Sequence, residues 1–188
     1  MQTSAGNNLV LIRDTEIENT IRAFIIPVLL AAGLKPKAVK VYIIKNNALN
    51  AFVAGGQKIF INSGLIIKST SATEIIGVLA HEIGHIAGGH LSRTHDALSR
   101  SSSATILSYL LGGAATLATK RSDLGAAIVA AGRTVGMQSF LNYSRTQENA
   151  ADHAALKYLD ATKHSADGLL KFMERLNKIE LLTAYSQD

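Results

Sequence analysis

Ser71-Ala72-Thr73-Glu74-Ile75-Ile76-Gly77-Val78-Leu79-Ala80-His81-Glu82-Ile83-Gly84-His85 is the stretch that decides how the rest of the chain is read. Its first four residues form a capping-box pattern, in which a serine and a glutamate three positions later satisfy the free amides of a helix start. The apolar run behind it, Ile75 to Leu79 and then Ile83, predicts a helix from Ala72 to about Thr94. Inside that helix lies His-Glu-x-x-His. Residues four apart stand one turn above each other, so the imidazoles of His81 and His85 can reach one metal ion. Two imidazoles and an open coordination position suit a catalytic zinc, one per chain, which lowers the pKa of bound water to about 7. Glu82 projects from a neighbouring direction and is the candidate general base for that water.

A third ligand is available downstream. Ser144-Arg145-Thr146-Gln147 is another capping-box pattern and predicts the start of a helix running to about Leu159. Glu148 falls in its first turn, and Asp152 follows one turn later. Glu148 can supply the third metal ligand, and Asp152 can accept a hydrogen bond from a ligand histidine and fix its tautomer. The plainer alternative is a solvated acidic face. Against it stand Ala150, Ala151, Ala154 and Ala155, small enough for close helix packing. The other histidines fit less well. A third histidine in the H-x-x-G-x-x-H continuation would occupy position 91, which is Leu91, while His90 is turned about 100° away by one residue. His95, His153 and His164 read as surface or packing residues.

Working outward, Ile17, Ile21, Phe24 and Val28 recur at helical spacing from about Asp14, with Pro27 inside the segment and Gly33 and Pro36 closing it. Residues 1–11 read as a loose start. Residues 39–45 are β-branched and predict a strand, and Phe52-Val53 and Lys58 to Ile61 flank Gly55-Gly56 as a hairpin. The segments 104–118 and 124–136 are apolar and predict two packed helices joined by a polar turn at Lys120, Arg121 and Asp123. A last helix runs from about Asp167 to Leu182. The fold class expected is therefore α+β, mostly helical, with a small sheet before the His-Glu-x-x-His helix.

Composition narrows the function classes. With 188 residues, 47% of them hydrophobic, the chain suits one compact domain. It has no cysteine, which excludes thiolate metal sites, a cysteine nucleophile and disulfides. The formal charge of +5 is scattered, with Lys120-Arg121 the one adjacent pair, and aromatics are 5% of residues. No nucleic-acid partner is expected. Fifteen helical residues span only about 22 Å of a ~30 Å hydrocarbon core, so 104–118 and 124–136 are expected in a buried core or a shallow membrane-facing hairpin. Their apolar surface also favours self-association. Met1 to Asn8 is polar and has no apolar run, as expected if a signal peptide has been removed.

His81-Glu82-Ile83-Gly84-His85, Tyr143-Ser144-Arg145, Glu148 and Ala151-Asp152, together with Asn50-Ala51-Phe52 and the stretch from Gly55 to Leu65, resemble the HtpX/BepA-like zinc metallopeptidases, relatives of the CAAX prenyl protease. The resemblance covers about residues 40–180. It implies a gluzincin-type domain, with zinc on His81, His85 and Glu148 and Glu82 as base. It further implies the soluble bacterial cell-envelope branch, located in the periplasm, whose precursors carry a signal peptide and often a C-terminal helical repeat domain. The substrates it implies are polypeptides, misfolded or misassembled envelope proteins among them. Asn50, Ala51 and Phe52 would lie on an edge strand beside the cleft and bind substrate by strand addition. Burial of that strand end, with Phe52 in the core, is the equal alternative. A zinc-containing chaperone-like module with little proteolysis is the competing function, and no oxyanion-stabilising residue can be assigned from sequence.

Overall fold

A computed structural model of the chain describes residues 10–93, Leu111 and residues 122–185. The elements are β1 (Leu11–Ile12), α1 (Thr15–Ala31), β2 (Lys40–Ile44), β3 (Ala51–Ala54), β4 (Lys58–Asn62), α2 (Ser63–Lys68), α3 (Ala72–Gly88), α4 (Ser122–Ala161) and α5 (Asp167–Tyr185). This is the mostly helical α+β architecture expected, with one small sheet. The chain divides into two compact units, Met1–Gly88 with Ala151–Asp188, and Gly89–Ala150. In the second unit, the described residues are 89–93, Leu111 and the first part of α4. The predicted helix at 104–118, the polar turn at Lys120 and Arg121, and His95 lie outside the described residues.

In the first unit, α1 starts because Asp14 has extended backbone and its Oδ1 accepts from the amides of Glu16 and Ile17, both at 3.0 Å. The helix continues through Pro27 and buries Ile21, Ile25, Val28 and Leu29 on one side. The sheet has strand order β1-β2-β4-β3, with β2 and β4 parallel and the other pairs antiparallel. The two residues of β1 pair with Ile43 and Ile44, so the chain start read as loose contributes a strand. The hairpin β3–β4 turns through Gly55 and Gly56, whose φ angles of +56° and +89° belong to the left-handed region that glycine enters without steric cost.

Strand alternation separates two faces of the sheet. Ile43, Ala51, Ile59 and Ile61 are buried on the inner face, and Ala51, Ile59 and Ile61 share a core with α1 and α3. Leu79 and Ile83 of α3 are wholly inside that core. Each such side chain contributes about 1.5–3 kcal/mol of transfer free energy. On the outer face, the half-buried rings of Tyr42, Phe60 and Phe52 stand in register, with successive centroids 5.3 Å apart. Phe52 is therefore half-buried on the outer face and not in the core, whereas Ala51 beside it is buried.

The start of α3 departs from a simple capping box. The Ser71 hydroxyl does accept from the Glu74 amide, at 3.4 Å. The Glu74 carboxylate, however, is fully buried and accepts from the amide of Thr70 at 2.7 Å and from the Arg175 guanidinium of α5. Arg175 also donates to the Lys68 carbonyl at 2.9 Å. One ion pair thus fastens the N-terminus of α3 to α5 and to the turn before it.

The predicted helix start at Ser144 is not observed. Ser144 lies within the 40-residue α4, which joins the segments predicted separately at 124–136 and 144–159. No proline interrupts residues 122–161, and the Thr146 hydroxyl donates to the Asn142 carbonyl one turn back at 2.9 Å, as a helix-interior threonine does.

Candidate metal centre

Two helices carry the chemistry. On α3, His81 and Glu82 are buried, 8% and 9% exposed, and His85 is half-buried one turn further on. On α4, Asp152 is half-buried, and Glu148 lies one turn before it on the same helix and is exposed.

Within the first unit the helices approach closely because position 84 has no side chain. A Cβ there would stand 2.8 Å from the Ala151 carbonyl oxygen and 3.1 Å from the Ala151 Cα. Ala151 is itself completely buried, so the spacing of α3 from α4 is set by a glycine against an alanine. That approach brings Asp152 to His81. The His81 Nδ1 donates to Asp152 Oδ1 at 2.8 Å, because a carboxylate only accepts. In the neutral ring the proton is then on Nδ1 and the lone pair is on Nε2.

The Nε2 atoms of His81 and His85 are 3.0 Å apart, with the rings edge to face. Two nitrogens bound to one tetrahedral zinc at about 2.0–2.1 Å would be separated by ~3.3 Å. The observed spacing is close to that, so both lone pairs can turn to one ion. His81 and His85 thus offer two imidazole nitrogens to one ion, and Glu148, one turn before Asp152 on α4, is the carboxylate expected from sequence to complete the set. Two imidazoles and a carboxylate form a donor set that suits zinc.

His81 and His85 stand one above the other on α3 as their spacing predicts, and the hydrogen bond expected at Asp152 is formed with His81. Asn50, Ala51 and Phe52 are a separate feature: Ala51 and Phe52 belong to β3, at the edge of the sheet, and α3 packs against β3. Two further contributors were missed. Gly84 was treated as a filler position of His-Glu-x-x-His, although a glycine inside an apolar helix is itself a packing signal. Arg175 had no local signal. Further along α4, burial pushes the Tyr158 phenol above its ordinary 10.0, so the group is neutral at pH 7.

The sequence profile of peptidase family M48 matches residues 12–186. The chain is also similar to the beta-barrel assembly-enhancing protease of Escherichia coli K12, with 26% identity over 135 residues, 72% of this chain and 27% of that protein. A Vibrio cholerae protein provisionally given the same name is 32% identical over 135 residues, 72% of this chain and 28% of that protein. The Yersinia pestis protein of that name is 24% identical over the same length. The chain thus spans less than a third of the length of these relatives.

Proposed function

The chain belongs to peptidase family M48, and on that premise we propose that residues 1–188 form one zinc-dependent endopeptidase domain. His81, His85 and Glu148 hold the metal, and Glu82 is the general base. When bound there, zinc would supply Lewis acidity, polarising a peptide carbonyl and making water more acidic. The protein's own residues do the rest. Asp152 keeps the His81 proton on Nδ1, so that Nε2 offers a lone pair at every turnover. Glu82, buried beside the two imidazoles in sequence, takes the proton of the attacking water and returns it to the departing amine.

The observation that carries this reading is the pair of imidazoles with Nε2 atoms 3.0 Å apart, the outer nitrogen of His81 being already tied to Asp152. Substrate polypeptide adds as a strand along β3, through the backbone of Asn50, Ala51 and Phe52, since among the described residues β3 has one unpaired side and packs beside α3. Pairing through the main chain tolerates many sequences, which suits misfolded or misassembled proteins. Two relatives carry the name beta-barrel assembly-enhancing protease, one of them provisionally, which supports extending the reading to this chain as protein quality control in the bacterial periplasm. Among the described residues no helix is long and apolar enough to cross a membrane.

The test is metal content. Purified protein is expected to hold about one zinc by mass spectrometry, and His85→Ala and Glu148→Ala each to lose most of it. Full zinc content in Glu148→Ala would remove that residue from the ligand set.

A further inference from the structure

The outer face of the sheet is built unlike a face that is merely solvated. Its rows can be read from the strand register. Lys40 of β2 lies directly opposite Lys58 of β4, and the next row is Tyr42, Phe60 and Phe52. Like charges directly opposite each other weaken a sheet, so the lysine pair is not there for stability. Arg13 sits at the other end of the aromatic row, its guanidinium 5.8 Å from the centre of the Tyr42 ring.

β1 is two residues long and pairs with Ile43 and Ile44, so among the described residues no strand pairs with Lys40–Tyr42 on that side of β2. A cleft of about 330 Å³ opens there, lined by Arg13, Glu18, Arg22, Lys40, Val41 and Tyr42. Three cations and one carboxylate share it. Glu18 approaches Arg13 at 3.9 Å, too far for a tight bidentate pair, and the Arg13 side chain is 69% exposed. Among the described residues, the strands present no carboxylate on this face.

We infer that this cleft and the aromatic row beside it are a docking surface for an anionic phospholipid membrane, with the lipid phosphate between Arg13, Arg22 and Lys40. Guanidinium groups pair with phosphate oxygens through two parallel hydrogen bonds, and lysines near an anionic surface add to the attraction. The aromatic row favours a lipid surface over a free anion, since half-exposed rings beside cations suit the headgroup boundary and do nothing for a small soluble ion. It disfavours a nucleic-acid strand. The rings stack on one another at 21° and 17°, so their faces are taken, whereas bases need open ring faces to stack on.

The experiment is co-sedimentation of the purified chain with phosphatidylcholine vesicles, with and without phosphatidylglycerol, at low and at physiological salt. Binding is expected only with phosphatidylglycerol and is expected to weaken with salt. Each cation near such a surface is worth roughly five-fold in affinity, so Arg13→Gln/Lys40→Gln/Lys58→Gln together should bind about 100-fold more weakly. The triple variant should keep its thermal stability and its hydrolysis of a soluble unfolded protein, because it touches no residue of the metal centre. Wild-type protein that ignores phosphatidylglycerol vesicles overturns the inference, and so does a triple variant that binds them equally well. Two competitor arms serve the same end. Tight binding of poly-glutamate, or of a single-stranded oligonucleotide, without vesicle binding would reassign the face to an acidic polymer. Inorganic phosphate that occupies the cleft while vesicles stay unbound would reduce it to a free-anion site.

Discussion

Gly84→Ala is the sharpest probe of how the fold positions the metal centre, because two effects of opposite sign compete at one atom. On an exposed helix the change would stabilise the protein by about 0.8–1.0 kcal/mol through helix propensity. At position 84 the new Cβ would stand 2.8 Å from the Ala151 carbonyl oxygen, a backbone atom that cannot rotate away. To restore an ordinary contact of 3.4 Å, α4 must retreat by about 0.6 Å at Ala151. Asp152 is the next residue, and its 2.8 Å bond to His81 would stretch to as much as ~3.4 Å, past the usual N–H···O range and much weakened. Overpacking of this kind costs about 1–3 kcal/mol, so the net effect is a loss of up to ~2 kcal/mol. Weakening of the Asp152 contact should also weaken zinc binding, by up to about 10- to 100-fold. Urea denaturation of the metal-free protein reads the first, and a chelator competition titration reads the second. A Gly84→Ala protein that is more stable than wild type and binds zinc equally would refute the close approach of the two helices.

Two other substitutions test separate joints of the same structure. Arg175→Met leaves Glu74 fully buried without its cation and should destabilise the fold by about 3 kcal/mol in chemical denaturation; a change under about 1 kcal/mol would mean the pair is not the fastening it is taken for. Asp152→Asn keeps the size of the side chain but weakens its acceptance from His81, and should reduce zinc affinity about 10- to 100-fold with little effect on unfolding; unchanged affinity would make Asp152 an ordinary surface carboxylate.

The candidate site was legible in sequence as spacing, because that information is local. His81 and His85 share a helical turn, as do Glu148 and Asp152, and a spacing of four states which face each pair occupies. The sheet's hairpin was legible for the same reason, through Gly55 and Gly56 between two β-branched runs. What escaped was set by contacts between distant segments. Glu74 was read correctly as a helix-start residue, but its partner Arg175 lies 101 positions away, and no local pattern pairs them. The start predicted at Ser144 failed because Ser and Gln at that spacing are tolerated inside a helix as well as at its cap, and α4 has no proline to stop it. β1 was missed because two residues carry no periodicity. Phe52 was undecidable until the register placed it beside Phe60 on the outer face.

The central claim, that Glu82 is the base beside a metal held by other residues, is tested most directly with Glu82→Gln. The variant removes a proton acceptor and no ligand, while preserving size and helix propensity. Zinc content and casein hydrolysis should be measured on the same preparation. The account predicts about one zinc per chain, as in wild type, and hydrolysis reduced to background. A Glu82→Gln protein that cleaves casein at the wild-type rate would contradict it.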